Sequence, residues 1–313
     1  MQVKNLSLPN QRSLIQPARP GQQVLLRLLS TPKKRVLKKA ASALPKHAVL
    51  ISVSVLLGFP LFWMVLTSLK TNPQALAVPV VWWPHPFEWK NYPDVLSAVP
   101  FYRFFLNTLL YAAVTIVGVC TSSSLVAYGF SRIHWRGRDL LFQIMVSTLL
   151  VPFFATLIPL FIIYKKLHMV GWYWPLMVPT FLGSSVFSTF LLRQFFMTIP
   201  QSLSDAARID GANEFYIYSR IILPLSKPAM ATVILFQFIY CWNDFIGPLV
   251  YINNQVWYPL SLGLYLILGT YTTNWPWVMA AATVATVPII VLFFFTQRTF
   301  IRGIAVQGTG LKG

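Results

Sequence analysis

Residues 200–228 read P-Q-S-L-S-D-A-A-R-I-D-G-A-N-E-F-Y-I-Y-S-R-I-I-L-P-L-S-K-P, the longest polar interval after residue 104, with long apolar runs on both sides. Those flanks decide the solvent in which the chain folds. Of 313 residues, 56% are hydrophobic and only 10% charged, whereas a soluble domain carries about a quarter charged residues. Uncharged runs long enough to cross a bilayer recur along the chain, which predicts an all-α, polytopic membrane protein.

Outward from the polar stretch, the runs predict six transmembrane helices, at about 47–69, 104–130, 140–164, 174–192, 228–249 and 276–296. Pro60 predicts a kink in the first, and Pro152 and Pro159 predict a bent third helix that lines a cavity. Pro228 suits the first turn of the fifth. Ser122, Ser123 and Ser124 give the second a small-residue packing face, and Arg193 can snorkel from the end of the fourth. Trp82, Trp83 and Trp89 read as anchors at the lipid boundary, as do Tyr265, Tyr271, Trp275 and Trp277. Cys120 and Cys241 fall inside apolar runs and imply neither a disulfide framework nor a zinc site.

The net charge of +18 is concentrated: ten of the 25 Lys and Arg lie in residues 1–46, with no acid among them. Such a tail, ahead of a membrane domain at 47–313, suits contact with anionic lipid better than nucleic-acid binding. Its part from Val24 to Lys39 suits an amphipathic helix lying on the membrane. A cleaved signal peptide is not expected, because the basic region is too long and the first apolar run is long enough to span. With the N-terminus inside, 20 of the 25 basic residues fall on the cytoplasmic side, so both termini and the 200–228 loop are expected there.

Within the loop, Ser202 is a good N-cap with Asp205 three residues on, and Ala206 and Ala207 keep one helix face small. Gly211 suits the left-handed residue that stops this helix. A second helix, about 213–222, is expected to end before Leu223-Pro224, since a residue preceding proline resists the helical conformation. Caps alone would also suit a plain connecting loop.

The spacing of Asp205-Ala-Ala, Asp210-Gly211-Ala212 and Ile222-Leu223-Pro224, followed by Lys227-Pro228, is more specific: it resembles the EAA loop of ABC importer permeases. The likeness is to MalG-like permease subunits of carbohydrate importers. It extends over about residues 50–313 through S-L-K-T-N-P (68–73), F-L-N-T (105–108), W-N-D-F-I-G-P-L (242–249) and Q-R-T-F-I-R-G (297–303). Asp205 departs from the family's usual Glu, and its reach is one methylene shorter. The resemblance implies a type I importer permease fold in a bacterial or archaeal cytoplasmic membrane. It also implies a short coupling helix that sits in a cleft of an ATP-binding subunit. In that scheme Asp205 meets a basic group, Ala206 and Ala207 allow close approach, Gly211 sets the helix angle, and Asp210, Leu223 and Pro224 brace the loop. The implied partners are a second homologous permease, two ATP-binding subunits that use ATP and Mg, and an extracytoplasmic solute-binding protein.

The chain has no Gly-x-x-x-x-Gly-Lys-Ser/Thr and no paired carboxylates or His cluster in polar surroundings, so a non-catalytic subunit without a bound cofactor or metal is expected. For a solute path, a sugar needs aromatic faces and amides or acids, which Trp242, Asn243 and Asp244 offer in a row. Asp244 is the acid well inside a predicted span, a functional candidate by default, with structural pairing as its alternative. We expect Asn243 to line the path and Asp244 to pair with a neighbouring helix or subunit, with Gln237 and Tyr240 sharing a face at helical spacing. The rival readings are a secondary transporter or channel working without ATP, and a non-transporting scaffold.

Overall fold

A computed structural model describes residues 32–270 and 274–309, with no strand among the described residues. Most of the basic tail, Tyr271 and the closing L-K-G lie outside them. The chain falls into two compact units, Met1–Phe62 and Trp63–Gly313. The described part of the first belongs to helix α1 (Pro32–Ser68), which contains Pro45 and Pro60 without interruption. Between residues 49 and 62 most of its apolar side chains are exposed, Leu56 by 73%, as suits a helix whose backbone bonds are internal and whose surroundings are lipid.

In the second unit, α2 (Asn91–Ala98) precedes α3 (Phe101–Ser131), the pillar of the fold. Then come α4 (Arg138–Ser147), α5 (Phe153–Lys166), α6 (Trp174–Phe181) and α7 (Val186–Thr198). The 200–228 region supplies α8 (Gln201–Ile209) and α9 (Glu214–Leu225). α10 (Lys227–Asn243), α11 (Ile246–Tyr251), α12 (Leu260–Thr270) and α13 (Trp275–Thr309) complete the chain.

Among the described residues four helices are long and apolar enough to cross a membrane, or up to six if each of two bent pairs is one span. One bent pair is the predicted third span: α4 and its 3-10 extension meet α5 at 99°. Val151, held extended at ψ 119° ahead of Pro152, makes the break. The other joins α9 to α10 at 77°. The fifth apolar run does not remain helical to Leu249; α10 stops at Asn243 because Asp244 turns extended, with ψ 112°. α12, too short to span, was not anticipated.

α3 packs against α6, α7, α10 and α12. The serine face does what its small residues allow. Ser122 Oγ donates to the Thr180 carbonyl at 2.6 Å, and Ser124 Oγ shares a 2.7 Å hydrogen bond with the Tyr218 hydroxyl. One turn earlier, Gly118 lies so close to α6 that a Cβ there would stand 2.2 Å from Thr180 Oγ1 and 2.9 Å from the Phe181 ring.

Two arginines near the end of α3 tie it to α7. Arg132, 2% exposed, donates through Nη2 to the carbonyls of Phe196 and, at 2.6 Å, Ile199. Its Nη1 donates to Gln201 Oε1 at 2.8 Å. The Phe196 carbonyl also accepts the Ile199 N–H at 3.2 Å, so the guanidinium is its second partner, and through Ile199 and Gln201 it holds the chain where α8 begins. Arg193 does not snorkel: it is 9% exposed, donates to the Phe130 carbonyl at 3.1 Å, pairs with Asp139 at 3.3 Å, and lies 3.9 Å over the Phe142 ring. A partner within reach removes the reason for the side chain to seek water.

Gly118→Ala should destabilise the α3–α6 contact by about 1–3 kcal/mol, read as a lower melting temperature of the detergent-solubilised protein. Arg132→Met should cost about 1–3 kcal/mol for the Ile199 carbonyl it leaves unpaired and increase proteolysis between α7 and α8. Unchanged cleavage there would show that the clamp does not hold the loop.

Candidate functional site

The loop helix α8 begins at Gln201, one residue before the expected cap, and Ser202 makes no capping hydrogen bond. Pro200 already halts the preceding chain and presets the entry. Asp205 therefore does not bond the helix start; its Oδ1 accepts from Arg208 Nη1 at 2.8 Å, one turn on. Gly211 follows Asp210 with φ +85°, as the sequence predicts. Only glycine, and to a lesser degree Asn, adopts that conformation readily.

Asn213 then caps α9, its Oδ1 accepting from the Tyr216 N–H at 2.8 Å. Contrary to expectation, α9 does not end before Leu223-Pro224. It widens into a π-helical segment, Ile217–Ile222, and continues through Pro224 to Leu225. The wider register relieves the missing N–H and the ring clash that would otherwise break a helix at proline. Leu223 packs against the core formed by Phe196, Ala207, Ile217 and Ile222, while Pro224 is exposed. The two alanines separate: Ala207 is buried in this core and Ala206 is exposed.

A polar relay links α8 to α3. Arg208 Nε donates to Glu214 Oε1 at 2.8 Å while its Nη1 holds Asp205, and the Tyr128 hydroxyl donates to Glu214 Oε2 at 2.5 Å. Tyr128 in turn meets Tyr218 edge to face at 5.4 Å. Hydrogen bonding from Arg208 holds the Glu214 carboxyl below the usual carboxylate range, and Glu214 raises Arg208 in return. These ion pairs are 34–55% exposed, and such pairs are worth at most about 1 kcal/mol. They orient the loop more than they stabilise it. Outside the relay, α8 and α9 present Ile209 (87% exposed) and Phe215 (70% exposed). Beside them a hollow of about 580 Å³ is lined by Ala207, Asp210, Gly211, Asn213, Tyr216 and Arg220.

The second feature is a cleft of about 480 Å³ among α3, α5, α6, α7, α10 and α11. Gln237 and Tyr240 line it together, as their spacing predicts, opposite residues the sequence reading did not single out: Tyr111, Tyr164, Ser184 and Tyr251. Tyr251 meets Tyr164 edge to face at 5.6 Å. Asn243 lies elsewhere, in a smaller pocket of about 270 Å³ with residues of α12 and α13. Asp244 is among the lining residues of neither. Its Oδ2 accepts from the Tyr111 hydroxyl at 2.9 Å, its Oδ1 from the Gly247 N–H at 3.1 Å, and its carbonyl from Ser261 Oγ at 2.6 Å. It joins three helices where α10 ends. Arg132, Arg208, Asn213 and Glu214 were also not foreseen; the i, i+3 spacing of Asp205 and Arg208 was the one local signal for any of them.

Residues 118–306 match the family described as binding-protein-dependent transport system inner membrane component. The arabinooligosaccharides transport system permease protein AraQ of Bacillus subtilis (strain 168) is 32% identical over 259 residues, 82% of this chain and 92% of that protein. The sulfoquinovosyl glycerol transport system permease protein SmoH of Agrobacterium fabrum (strain C58) is 29% identical over 273 residues, 87% of this chain and 95% of that protein. The fold is that of a chain from a bacterial ABC transporter involved in the import of the acidic polysaccharide alginate, with TM-score 0.70 and 24% identity over 86% of this chain and 98% of that one. A match over more than half its length, with relatives covered almost end to end, makes this chain a member of the binding-protein-dependent transport system inner membrane component family, a membrane permease subunit of an ATP-driven importer.

Proposed function

We propose that this permease subunit forms half of the translocation path for a sugar or related polyol and couples that path to ATP hydrolysis in separate subunits. Its partners in this reading are a second homologous permease, two ATP-binding subunits and an extracytoplasmic solute-binding protein, with both termini in the cytoplasm. The observation that carries it is the Asp205–Arg208–Glu214–Tyr128 relay. An exposed helix fastened by side chains to the central pillar is built to pass a push inward, whereas a plain connector needs no such fastening.

In this mechanism an ATP-binding subunit grips α8 by its exposed face. Closure of the ATP-binding subunits displaces α8, and the relay carries that displacement to Tyr128 on α3. The buried core under Ala207 carries it to α7 and α9, and through the 77° bend to α10. This is rigid-body coupling between distant sites. α3 and α10 both contribute to the cleft, through Tyr111 and through Gln237 and Tyr240, so their movement alters its walls. The sugar class is supported by the aromatic and hydroxyl lining and by the solute named for the AraQ relative. A secondary transporter or channel would not use the relay.

Gly211→Val should leave the complex assembled but abolish solute-dependent ATPase activity and uptake, while Gly211→Asn, which tolerates φ +85°, should keep most of both. Full uptake in the valine variant would contradict the coupling role. Tyr128→Phe removes one hydrogen bond to Glu214 and should lower uptake per ATP hydrolysed about two- to fivefold, on the scale of a ~0.5–1 kcal/mol interaction. An unchanged ratio would remove the relay from the mechanism.

A further inference from the structure

We propose that the α3–α11 cleft selects an uncharged, polyhydroxylated solute, a neutral oligosaccharide or glycosyl polyol, over a phosphorylated, sulfonated or uronic one. The inference rests on the reading of this chain as a sugar permease and narrows its substrate class.

Among the described residues that line the cleft there is no Lys, Arg, His, Asp or Glu. What lines it is amphoteric. The hydroxyls of Tyr164, Tyr240 and Tyr251 carry no hydrogen bond to another described residue, and each can both donate and accept. Gln237 has an amide, with one donor directed at Cys241 Sγ at 3.3 Å. A sugar hydroxyl also donates and accepts, so it matches such groups one for one, and the tyrosine and phenylalanine faces suit its C–H surface.

An anion fares differently on the same wall. Phosphate, sulfonate and carboxylate only accept, and their recognition in a low-dielectric site calls for a charged or committed donor. Two of the small hydroxyl donors here are already engaged: Thr180 Oγ1 donates to the Met177 carbonyl at 2.6 Å, and Ser185 Oγ to Ser188 Oγ at 2.8 Å. A carboxyl reaches this wall through a hydrogen bond: Asp244 Oδ2 accepts from the Tyr111 hydroxyl at 2.9 Å. In its ionised form that carboxyl opposes an anion in the cleft and leaves a neutral solute unaffected.

The test uses the complete transporter with its own binding protein in proteoliposomes and matched probes: cellotriose against trigalacturonate, and glucosylglycerol against glycerol 3-phosphate. ATP-dependent uptake of a neutral member should exceed that of its anionic counterpart at least tenfold. Gln237→Lys, which places a cation on the wall, should reduce that ratio at least tenfold, while Gln237→Glu, a comparable intrusion of charge, should keep or raise it. Tyr240→Phe should lower neutral uptake about threefold. ATP-driven uptake of an anionic member equal to or above its neutral partner would overturn the selection and leave the importer reading intact. A ratio that Gln237→Lys does not change would overturn the cleft as the place of selection. Uptake that is independent of ATP, or absent for all probes, would overturn both readings.

Discussion

The guanidinium of Arg132 closes one end of the helical bundle. A helix end carries carbonyls with no partner inside the helix, and away from water they need one. From the neighbouring pillar Arg132 supplies it for Ile199, adds a second donor to the Phe196 carbonyl, and holds Gln201 with its other nitrogen. The start of α8, the position of Ala207 in the core and the reach of Arg208 to Glu214 all follow from that placement. Without the clamp, the exposed loop would hang from a frayed helix.

Breaks in the helices shape the cleft. At Val151-Pro152 the turn sets Phe153 and Tyr164 on the cleft, and at Asp244 the end of α10 lets α11 bring Tyr251 to face them. Each freed backbone group in an apolar setting needs a substitute partner. Asp244 provides one to Gly247 and takes one from Tyr111. The carboxylate expected to serve either the solute or the fold thus holds together the walls that would face a solute. Gly247 permits this closeness, since a Cβ there would stand 2.7 Å from Asp244 Oδ2.

Some of this was legible beforehand for physical reasons that act locally. Gly211 stops α8 because its left-handed conformation excludes most side chains, and the three serines pack α3 because small residues let helices approach. Gln237 and Tyr240 share a wall because helical spacing puts them on one face. Other expectations failed where tertiary partners outbid local preference. Ser202 lost the cap to Pro200, Arg193 found Asp139 and Phe142 instead of water, and α9 passed Pro224 by changing register.

By itself the sequence determined the solvent, the helical class and the motif of the loop, because hydropathy, charge asymmetry and glycine geometry are properties of short stretches of chain. Only the tertiary structure decided which side chains form the relay, that Asn243 and Gln237 belong to different pockets, and that four tyrosines line the cleft. Tyr128 and Glu214 are 86 positions apart, and Tyr111 and Asp244 are 133. No local periodicity records such distances, because they depend on how whole helices pack and where they break.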